Sequence, residues 1–573
     1  MSYNSPYIKD LRTYTERMKS LTDELLETLT GEVHTDTESI EKMSRDTSIF
    51  TRTPSVVVYP KNADDVSRLV RIIQKRKRSG EPVSVTARSA GTCMSGGPLT
   101  TSVVAVFTKY INHVCSIEET VQGGYAVTEP GVYYRDFEKE TLKHGDLILP
   151  SYPASRELCA MGGILNNNSG GERTLEYGKT ENYVEEVDVV LSDGTQTTFK
   201  ALTQGELLKK KHLEGLEGDI YRNVSALLQE HAEEIQQAKP TVSKNSAGYA
   251  LWSVIDQKTG TFNLAKLICG AQGTLALTTK MKLRLVKQQG NRSMLVIFLK
   301  DIKHLPEIVK RVLPFNPESF ESYDDQTFKL AVKFMPQMLQ QMGLFPAMRL
   351  GIAFIPEVLM VLRGGVPKLV LMAEFSEDTH EEALLMAVKA KDVLEDMHLE
   401  TQVLKNEQAS EKYWKVRRES FSLLRKNVHG LYAAPFIDDF VVPPSSYPTF
   451  LPELHDLLEQ YKDKFIYTIA GHVGNGNFHI IPLMDLSRKE VRAVIPELSP
   501  KVYELVVKYG GSITGEHNDG IIRTPYLPLM FGEKMVSLFE QTKRIFDPEN
   551  IFNPGKKVGG TLDDIERDMI TKV

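Results

Sequence analysis

Arg88-Ser89-Ala90-Gly91-Thr92-Cys93-Met94-Ser95-Gly96-Gly97 follows a run, Val83 to Thr86, whose β-branched residues predict a strand. Its closely spaced glycines let the backbone curl until successive N–H groups converge on an anion, and Ser89, Thr92 and Ser95 add hydroxyl donors. Such a nest suits a pyrophosphate. The dinucleotide fingerprint G-x-G-x-x-G between a strand and a helix does not occur in the chain, which disfavours a Rossmann domain. One glycine loop alone could be a plain turn. Two more stand in the same predicted unit: Gly162-Gly163-Ile164-Leu165-Asn166-Asn167-Asn168-Ser169-Gly170-Gly171, and Gly270-Ala271-Gln272-Gly273-Thr274-Leu275. Three donor-rich loops are hard to assign to turns.

Working outward, short β-branched runs at Ser55 to Tyr59, Val103 to Phe107, Tyr125 to Thr128, Val184 to Leu191 and Lys280 to Leu285 alternate with helices, giving an α+β cofactor half over residues 51–288. Residues 1–50 read as a polar helical lead-in. From 289 to 530, strands such as Ser293 to Leu299 and Leu369 to Phe375 alternate with helical patterns such as Thr379 to Met397, predicting a sheet backed by helices as the substrate half. Residues 531–573 are helical and then coil. A chain of 573 residues exceeds one ordinary core.

Lys+Arg 69 against Asp+Glu 75 gives a net charge of −6, so no global field recruits nucleic acid. The run Lys75-Arg76-Lys77-Arg78 ends a helix predicted to be capped at Asn62, where cations complement the dipole. Cys93, Cys115, Cys159 and Cys269 form neither a C-x-x-C pair nor a disulfide framework, which fits a reducing, cytoplasmic setting and excludes a cysteine-held iron–sulfur cluster here. Met1 to Leu21 is polar and mixed in charge, and no run of 18 apolar residues exists, so neither a secretory signal nor a membrane span is expected. Thr327 to Gly364 reads two ways. Its Met, Leu, Phe and Ile could be cap-domain core; with Lys329, Lys333, Arg349 and Arg363 against the single acid Glu357, they could instead lie on the inner face of an anionic membrane.

The second informative stretch is Gly471-His472-Val473-Gly474-Asn475-Gly476-Asn477-Phe478-His479. Asn475-Gly476 between apolar runs predicts a two-residue hairpin turn, pairing Gly474 with Asn477 and His472 with His479. Directly opposed residues have Cβ atoms about 5 Å apart, so two imidazoles would converge on one face, with Glu516 of Gly515-Glu516-His517-Asn518-Asp519-Gly520 as a third ligand. Imidazole with carboxylate suits zinc first, then manganese or iron.

With Pro150-Ser151-Tyr152-Pro153-Ala154-Ser155, Tyr177-Gly178, Trp414-Lys415-Val416-Arg417, and Phe546-Asp547-Pro548 before Asn553-Pro554-Gly555-Lys556, these pieces resemble the FAD-linked oxidases of the vanillyl-alcohol oxidase (PCMH-type) fold, in the branch of D-lactate, glycolate and D-2-hydroxyglutarate dehydrogenases. The resemblance runs from about residue 50 to Lys556. It implies an α+β chain: a two-part FAD-binding domain, then an α/β cap with an antiparallel sheet and a helical C-terminal segment returning to the FAD domain. It places FAD on Arg88, Ser89, Ala90, Gly91, Thr92, Ser95, Gly96, Gly97, Pro150, Pro153, Ala154, Ser155, Gly162, Gly163, Asn166, Asn167, Ser169, Gly170, Tyr177, Gly178, Gly273, Thr274, Leu275 and Asn553. It puts a divalent metal on His472, His479 and Glu516, and makes His517 the base. Thr92 stands where covalently flavinylated relatives often carry histidine, implying noncovalent FAD. Asn475 and Asn518-Asp519 also depart from the family pattern, which touches substrate and subfamily more than reaction type.

Oxidising a 2-hydroxy acid means taking a proton from a group that resembles water, about nine pKa units above a histidine, so a metal beside the base makes the chemistry coherent. The carboxylate needs a cation, and Arg417, in the Trp-x-x-Arg pattern, can clamp it through two parallel bonds. The electron acceptor is not named by any motif: quinone, cytochrome, flavoprotein or a separate iron–sulfur protein all fit. A homodimer is expected. The competing readings are a flavin-dependent transferase like the alkyl-dihydroxyacetonephosphate synthases, whose run of adjacent histidines is absent, and a non-catalytic flavoprotein subunit, which would not need both histidine motifs.

Overall fold

The computed structural model of the chain describes residues 21–288, 290–325, 365–427 and 430–571, with side chains omitted over 419–427. The segment Thr327 to Gly364, with its two readings, lies outside them. Among the described residues no helix is long and apolar enough to cross a membrane.

Three sheets organise the described residues. The first has the order Glu32–His34, Val56–Tyr59, Val103–Val106, Val85–Arg88, with the last three strands parallel. Its strands are nearly continuous β-branched runs because both faces are covered. Helix Ala63–Arg78 packs Val66, Leu69, Val70 and Ile73 onto it and starts where predicted, the Asn62 side chain accepting from Asp65 N at 3.0 Å. The basic end of that helix is spent on ion pairs: Arg76 with Glu24 and Glu81, Arg78 with Glu549. The second sheet, seven antiparallel strands, contains Gly123–Thr128, Val184–Val190 and Leu277–Lys287. Helix Leu527–Phe546 lays Met535, Leu538, Phe539 and Phe546 into the core beneath it.

The third sheet has eight strands in the order Glu400–Leu404, Asn291–Leu299, Leu369–Glu377, Ser319–Asp324, Ile466–His472, Asn477–Met484, Tyr432–Ala433, with Phe440–Val441 also paired to Asn477–Met484. Every pairing is antiparallel. The α+β class and the antiparallel cap sheet are as expected.

The hairpin register is not. His472 pairs with Asn477 and His479 with Ala470, so the connection is the four residues Val473 to Gly476. A two-residue type I′ turn needs positive φ at both central positions. Only Gly476 has it, at 77°. Asn475 is drawn into tertiary contacts instead, its amide donating to Ser243 Oγ at 3.2 Å and its carbonyl accepting from that hydroxyl at 2.9 Å. A slip of two positions preserves the face, since side chains alternate with period two; a slip of one would have separated the histidines.

Candidate functional site

A cavity of about 1000 Å3 runs between the glycine loops and the cap sheet. On one side the glycine loops line it: Ser89 to Met94, Gly97, Pro153 to Ser155, Gly162, Gly163, Asn166, Asn167, Ser169, Gly170 and Gly273. A Cβ on Gly163 would meet nothing within 4 Å, so that residue presents bare backbone to the cavity. Gly91 needs its hydrogen for another reason: it has φ 71°, and a Cβ would sit 2.3 Å from the Arg88 guanidinium.

Several residues assigned to the cofactor do not reach the wall. Arg88 turns away, donating to the carbonyls of Met43 and Arg45 at 3.2 and 2.7 Å. Asn553 ties the loops together from behind, donating to Gly97 O at 3.0 Å and Gln272 O at 2.8 Å while accepting from Thr86 Oγ1. Ser95 is buried against the His517 carbonyl at 3.1 Å, and Thr274 hydrogen-bonds Tyr249 and Ala271 O. Gly96, Pro150, Tyr177, Gly178 and Leu275 likewise stand outside the lining.

On the other side Asp438, His479, Glu516, His517 and Arg417 line it beside Thr468, Ala470 and Ile481, and His472 stands just behind them. His472 and His479, on paired strands, have ring centroids 5.2 Å apart. Their Nε2 atoms lie 3.0 and 3.2 Å from the same oxygen, Glu516 Oε1. Each ring is held at its other nitrogen by a carboxylate: His472 Nδ1 by Glu321 at 2.5 Å, His479 Nδ1 by Asp438 at 3.1 Å. The second oxygen of Asp438 takes His517 Nδ1 at 2.7 Å. His517 stacks on His479 with centroids 5.1 Å apart and reaches the cavity.

Asp439, at φ 70°, folds the loop that carries Glu516 and His517. Its carboxylate accepts from the backbone N–H of both at 3.0 and 2.7 Å, from Thr514 Oγ1 at 2.6 Å and from Asn477 Nδ2 at 3.1 Å. Asp439, His479, Glu516 and His517 offer ligand atoms within 4.8 Å of one another. Four donors already fill the capacity of the Asp439 carboxylate, so it serves the loop rather than an ion.

The charges are balanced internally. Burial would raise the carboxyls of Asp438 and Glu516, but both lie below the usual range: Asp438 through the His517 and His479 imidazoles, Glu516 through Lys244 and His472. Burial likewise opposes charge on His479, which Asp438 and Glu516 nevertheless lift to about 10, and on His517, which Asp439 and Asp438 raise. Lys244, fully buried, sits 3.7 Å from Glu516 Oε2, an oxygen with no hydrogen-bond partner. Arg417 lines the cavity with its Nε 3.3 Å from Glu321 Oε2, and Lys415 and Arg418 line it from the same helix, Glu407–Asn427.

The sequence reading therefore brought together His472, His479, Glu516, His517 and Arg417 and missed their partners. Asp438-Asp439 had a signal: an acid doublet inside the apolar run Ala433 to Val442. Glu321 had a weaker one, an acid between Phe320 and Tyr323 in a strand that is buried throughout.

Both halves fit their groups. The backbone wall with an open Gly163 suits an extended cofactor carrying phosphates. Two imidazole nitrogens on one carboxylate oxygen, each ring anchored by a further acid, is a donor set for a divalent ion with its outer partners in place. The family model described as FAD binding domain matches residues 54–200, and that described as FAD linked oxidases, C-terminal domain, matches 289–557. The chain belongs to the FAD-linked oxidases. It is 27% identical over 539 residues to a D-2-hydroxyglutarate dehydrogenase of Pseudomonas putida, covering 92% of this chain and 50% of that one, so the chain spans about half the length of that relative. It is 26% identical over 507 residues to a D-lactate dehydrogenase of Archaeoglobus fulgidus, covering 88% and 91%. The fold matches the solved 4-ethylphenol oxidase from Gulosibacter chungangensis at 16% identity, with a TM-score of 0.65 over 96% of this chain and 98% of that one.

Proposed function

We propose that this FAD-linked oxidase is a dehydrogenase of D-2-hydroxy acids that uses noncovalent FAD and a divalent metal, zinc first among the candidates. The observation that carries the reading is that Asp438, His479, Glu516 and His517 meet at the wall of a cavity whose other wall is the glycine loops, with His472 behind them on the same Glu516 oxygen as His479.

FAD, held by the loops, would supply the hydride acceptor. A metal on His472, His479 and Glu516 would supply Lewis acidity toward the substrate hydroxyl. Everything else is done by side chains. Arg417 holds the carboxylate; its link to Glu321, which also anchors His472, fixes the guanidinium relative to the histidines. His517 takes the hydroxyl proton on Nε2, the nitrogen left over once Nδ1 is bound to Asp438. Lys415 lines the cavity from the same helix as Arg417, while Arg418 is held by Glu172; the name of several relatives, D-2-hydroxyglutarate dehydrogenase, makes D-2-hydroxyglutarate the first acid to try.

In this reading residues 51–288 form the FAD domain and 289–530 the cap, with 531–573 returning to the first. A separate acceptor, whether quinone, flavoprotein or iron–sulfur protein, reoxidises the flavin. Anaerobic mixing of the holoprotein with D- and L-lactate, glycolate and D-2-hydroxyglutarate tests the assignment. Bleaching of the oxidised flavin band by D-acids is expected. Failure of every 2-hydroxy acid to reduce the flavin would favour the transferase or the non-catalytic subunit. Acid precipitation should release the yellow colour, and colour kept in the pellet would mean a covalent link.

A further inference from the structure

We infer that Asp438 is a shared positioning residue that fixes the ring state of a metal ligand and of the base at once, one carboxylate oxygen for each ring. The inference rests on the reading of His479 as ligand and His517 as base. Asp438 is fully buried, and each carboxylate oxygen faces a different imidazole: Oδ1 at 3.1 Å from His479 Nδ1, Oδ2 at 2.7 Å from His517 Nδ1. An ionised carboxylate only accepts, so both rings carry a proton on Nδ1 toward it; with an ion bound to His479 and His517 neutral, the Nε2 atoms are the ones left for chemistry. One of these lies 3.2 Å from Glu516 Oε1; the other belongs to the ring that reaches the cavity. The backbone holds the acid still: Arg523, itself buried, donates to the Asp438 carbonyl at 2.7 Å and to the Asn518 carbonyl at 3.0 Å, clamping the two loops together.

Asparagine at 438 has one oxygen and one amide nitrogen, so it can accept from one ring but must donate to the other. The ring that receives the amide hydrogen accepts on Nδ1 and carries its own proton on Nε2. A bound ion needs the Nε2 lone pair of His479, so in the metal-loaded protein the inverted ring is His517. Asp438→Asn is therefore expected to keep FAD, to hold zinc within about tenfold of the wild-type affinity, and to lose roughly 10² to 10⁴-fold in the rate of flavin reduction. Asp438→Ala anchors neither ring and should weaken zinc binding about 10 to 100-fold as well.

The experiment uses the full-length flavoprotein. FAD content is read from absorbance, zinc affinity from competition with a chromophoric chelator, and reduction from anaerobic stopped flow with the best substrate of the screen. Histidine-selective ¹⁵N spectra of the zinc-loaded Asp438→Asn protein give a readout that a merely structural role would not move: one ring changes from Nδ1–H to Nε2–H. That change, with the rate loss and retained zinc, supports the inference. Wild-type zinc affinity and reduction rate in both variants would overturn it, as would two unchanged ring states in the spectra. If Asp438→Ala does not fold, the isosteric Asp438→Asn still decides. A wild-type protein reduced by a 2-hydroxy acid at full rate without any divalent metal would overturn the metal reading and this inference with it.

Discussion

The two walls of the cavity are built on opposite principles. The cofactor wall uses glycines and short polar residues that come in contiguous stretches, with Arg156 and Glu157 at Pro153 to Ala160. The histidine wall uses side chains whose partners are far away in sequence; His472 to Glu321 spans 151 residues, and Lys179, which donates to Gly515 O at 2.5 Å, reaches across 336. Acids behave differently on the two sides. Asp438, Asp439 and Glu516 are held below the ordinary carboxylate range despite burial, each by cations or imidazoles around it. Asp46, behind the first glycine loop, is pushed up by burial to about 6, although Arg88 lies nearby. Behind the first glycine loop burial disfavours the ionised carboxylate, whereas the histidine wall depends on four carboxylates, Glu321, Asp438, Asp439 and Glu516.

The hardest test of that contrast is His479→Ala or His472→Ala. Either should remove bound metal and nearly all turnover while FAD stays, because the cofactor wall shares no side chain with the ligand set. Metal analysis beside flavin absorbance reads both at once. If FAD leaves together with the metal, the walls are one structural unit and the comparison fails. Next in size is His517→Ala. It should retain metal and FAD and slow anaerobic flavin reduction by roughly 10² to 10⁴-fold, the usual contribution of a positioned base. An unchanged single-turnover rate would move the base elsewhere.

The same contrast governs what the sequence makes legible. Gly91, Gly162, Gly163 and Gly273 announce the cofactor wall because a loop that must present N–H groups needs glycine locally. His472 and His479 were found through face parity, which survived a hairpin register wrong by two, since both registers keep the residues on one side of the ribbon. Asn475-Gly476 misled because contacts with Ser243 outweigh the local turn preference. The acid doublet Asp438-Asp439 and the buried-strand Glu321 stand out as acids in apolar runs, but which histidine each meets, and that Lys244 meets Glu516, is decided by sheet order and crossing loops that no local pattern encodes. Arg88 and Asn553 were given to the cofactor because they sit in the right motifs; their hydrogen bonds show that a motif residue can serve the loop rather than its ligand.

A smaller effect is expected at the junction of the walls. Arg417→Lys keeps the charge but cannot make two parallel bonds to a carboxylate, nor can one ammonium easily hold Glu321 as well. Losing one charge-assisted hydrogen bond costs about 1.5 to 3 kcal/mol, so KM for the acid should rise about 10 to 100-fold, with zinc content unchanged. A fall in kcat at constant KM would instead place Arg417 in the chemical step.

The smallest effect isolates the cofactor wall from its own stray acid. Asp46 Oδ1 accepts from the N–H of Ser48 at 2.9 Å and from its hydroxyl, while Oδ2 is buried without a partner. The adjacent Thr47 hydroxyl supports the first loop through the carbonyls of Thr92 and Cys93, each at 2.9 Å. Because burial raises the folded-state pKa to about 6, above the ordinary 3.8, protonation of Asp46 favours the fold. That contribution is complete below about pH 4 and is lost as pH rises through 6. Asp46→Asn mimics the protonated form at every pH. It should therefore raise the thermal midpoint at pH 8 by about 1 to 4 °C, corresponding to about 1 to 2 kcal/mol for relieving one unsatisfied buried group, with the gain shrinking at pH 5. A gain equal at both pH values would mean that the charge is not the cause. A loss at pH 8 would mean that the ionised Asp46 is paired, and that the first loop rests on a carboxylate as the histidine wall does.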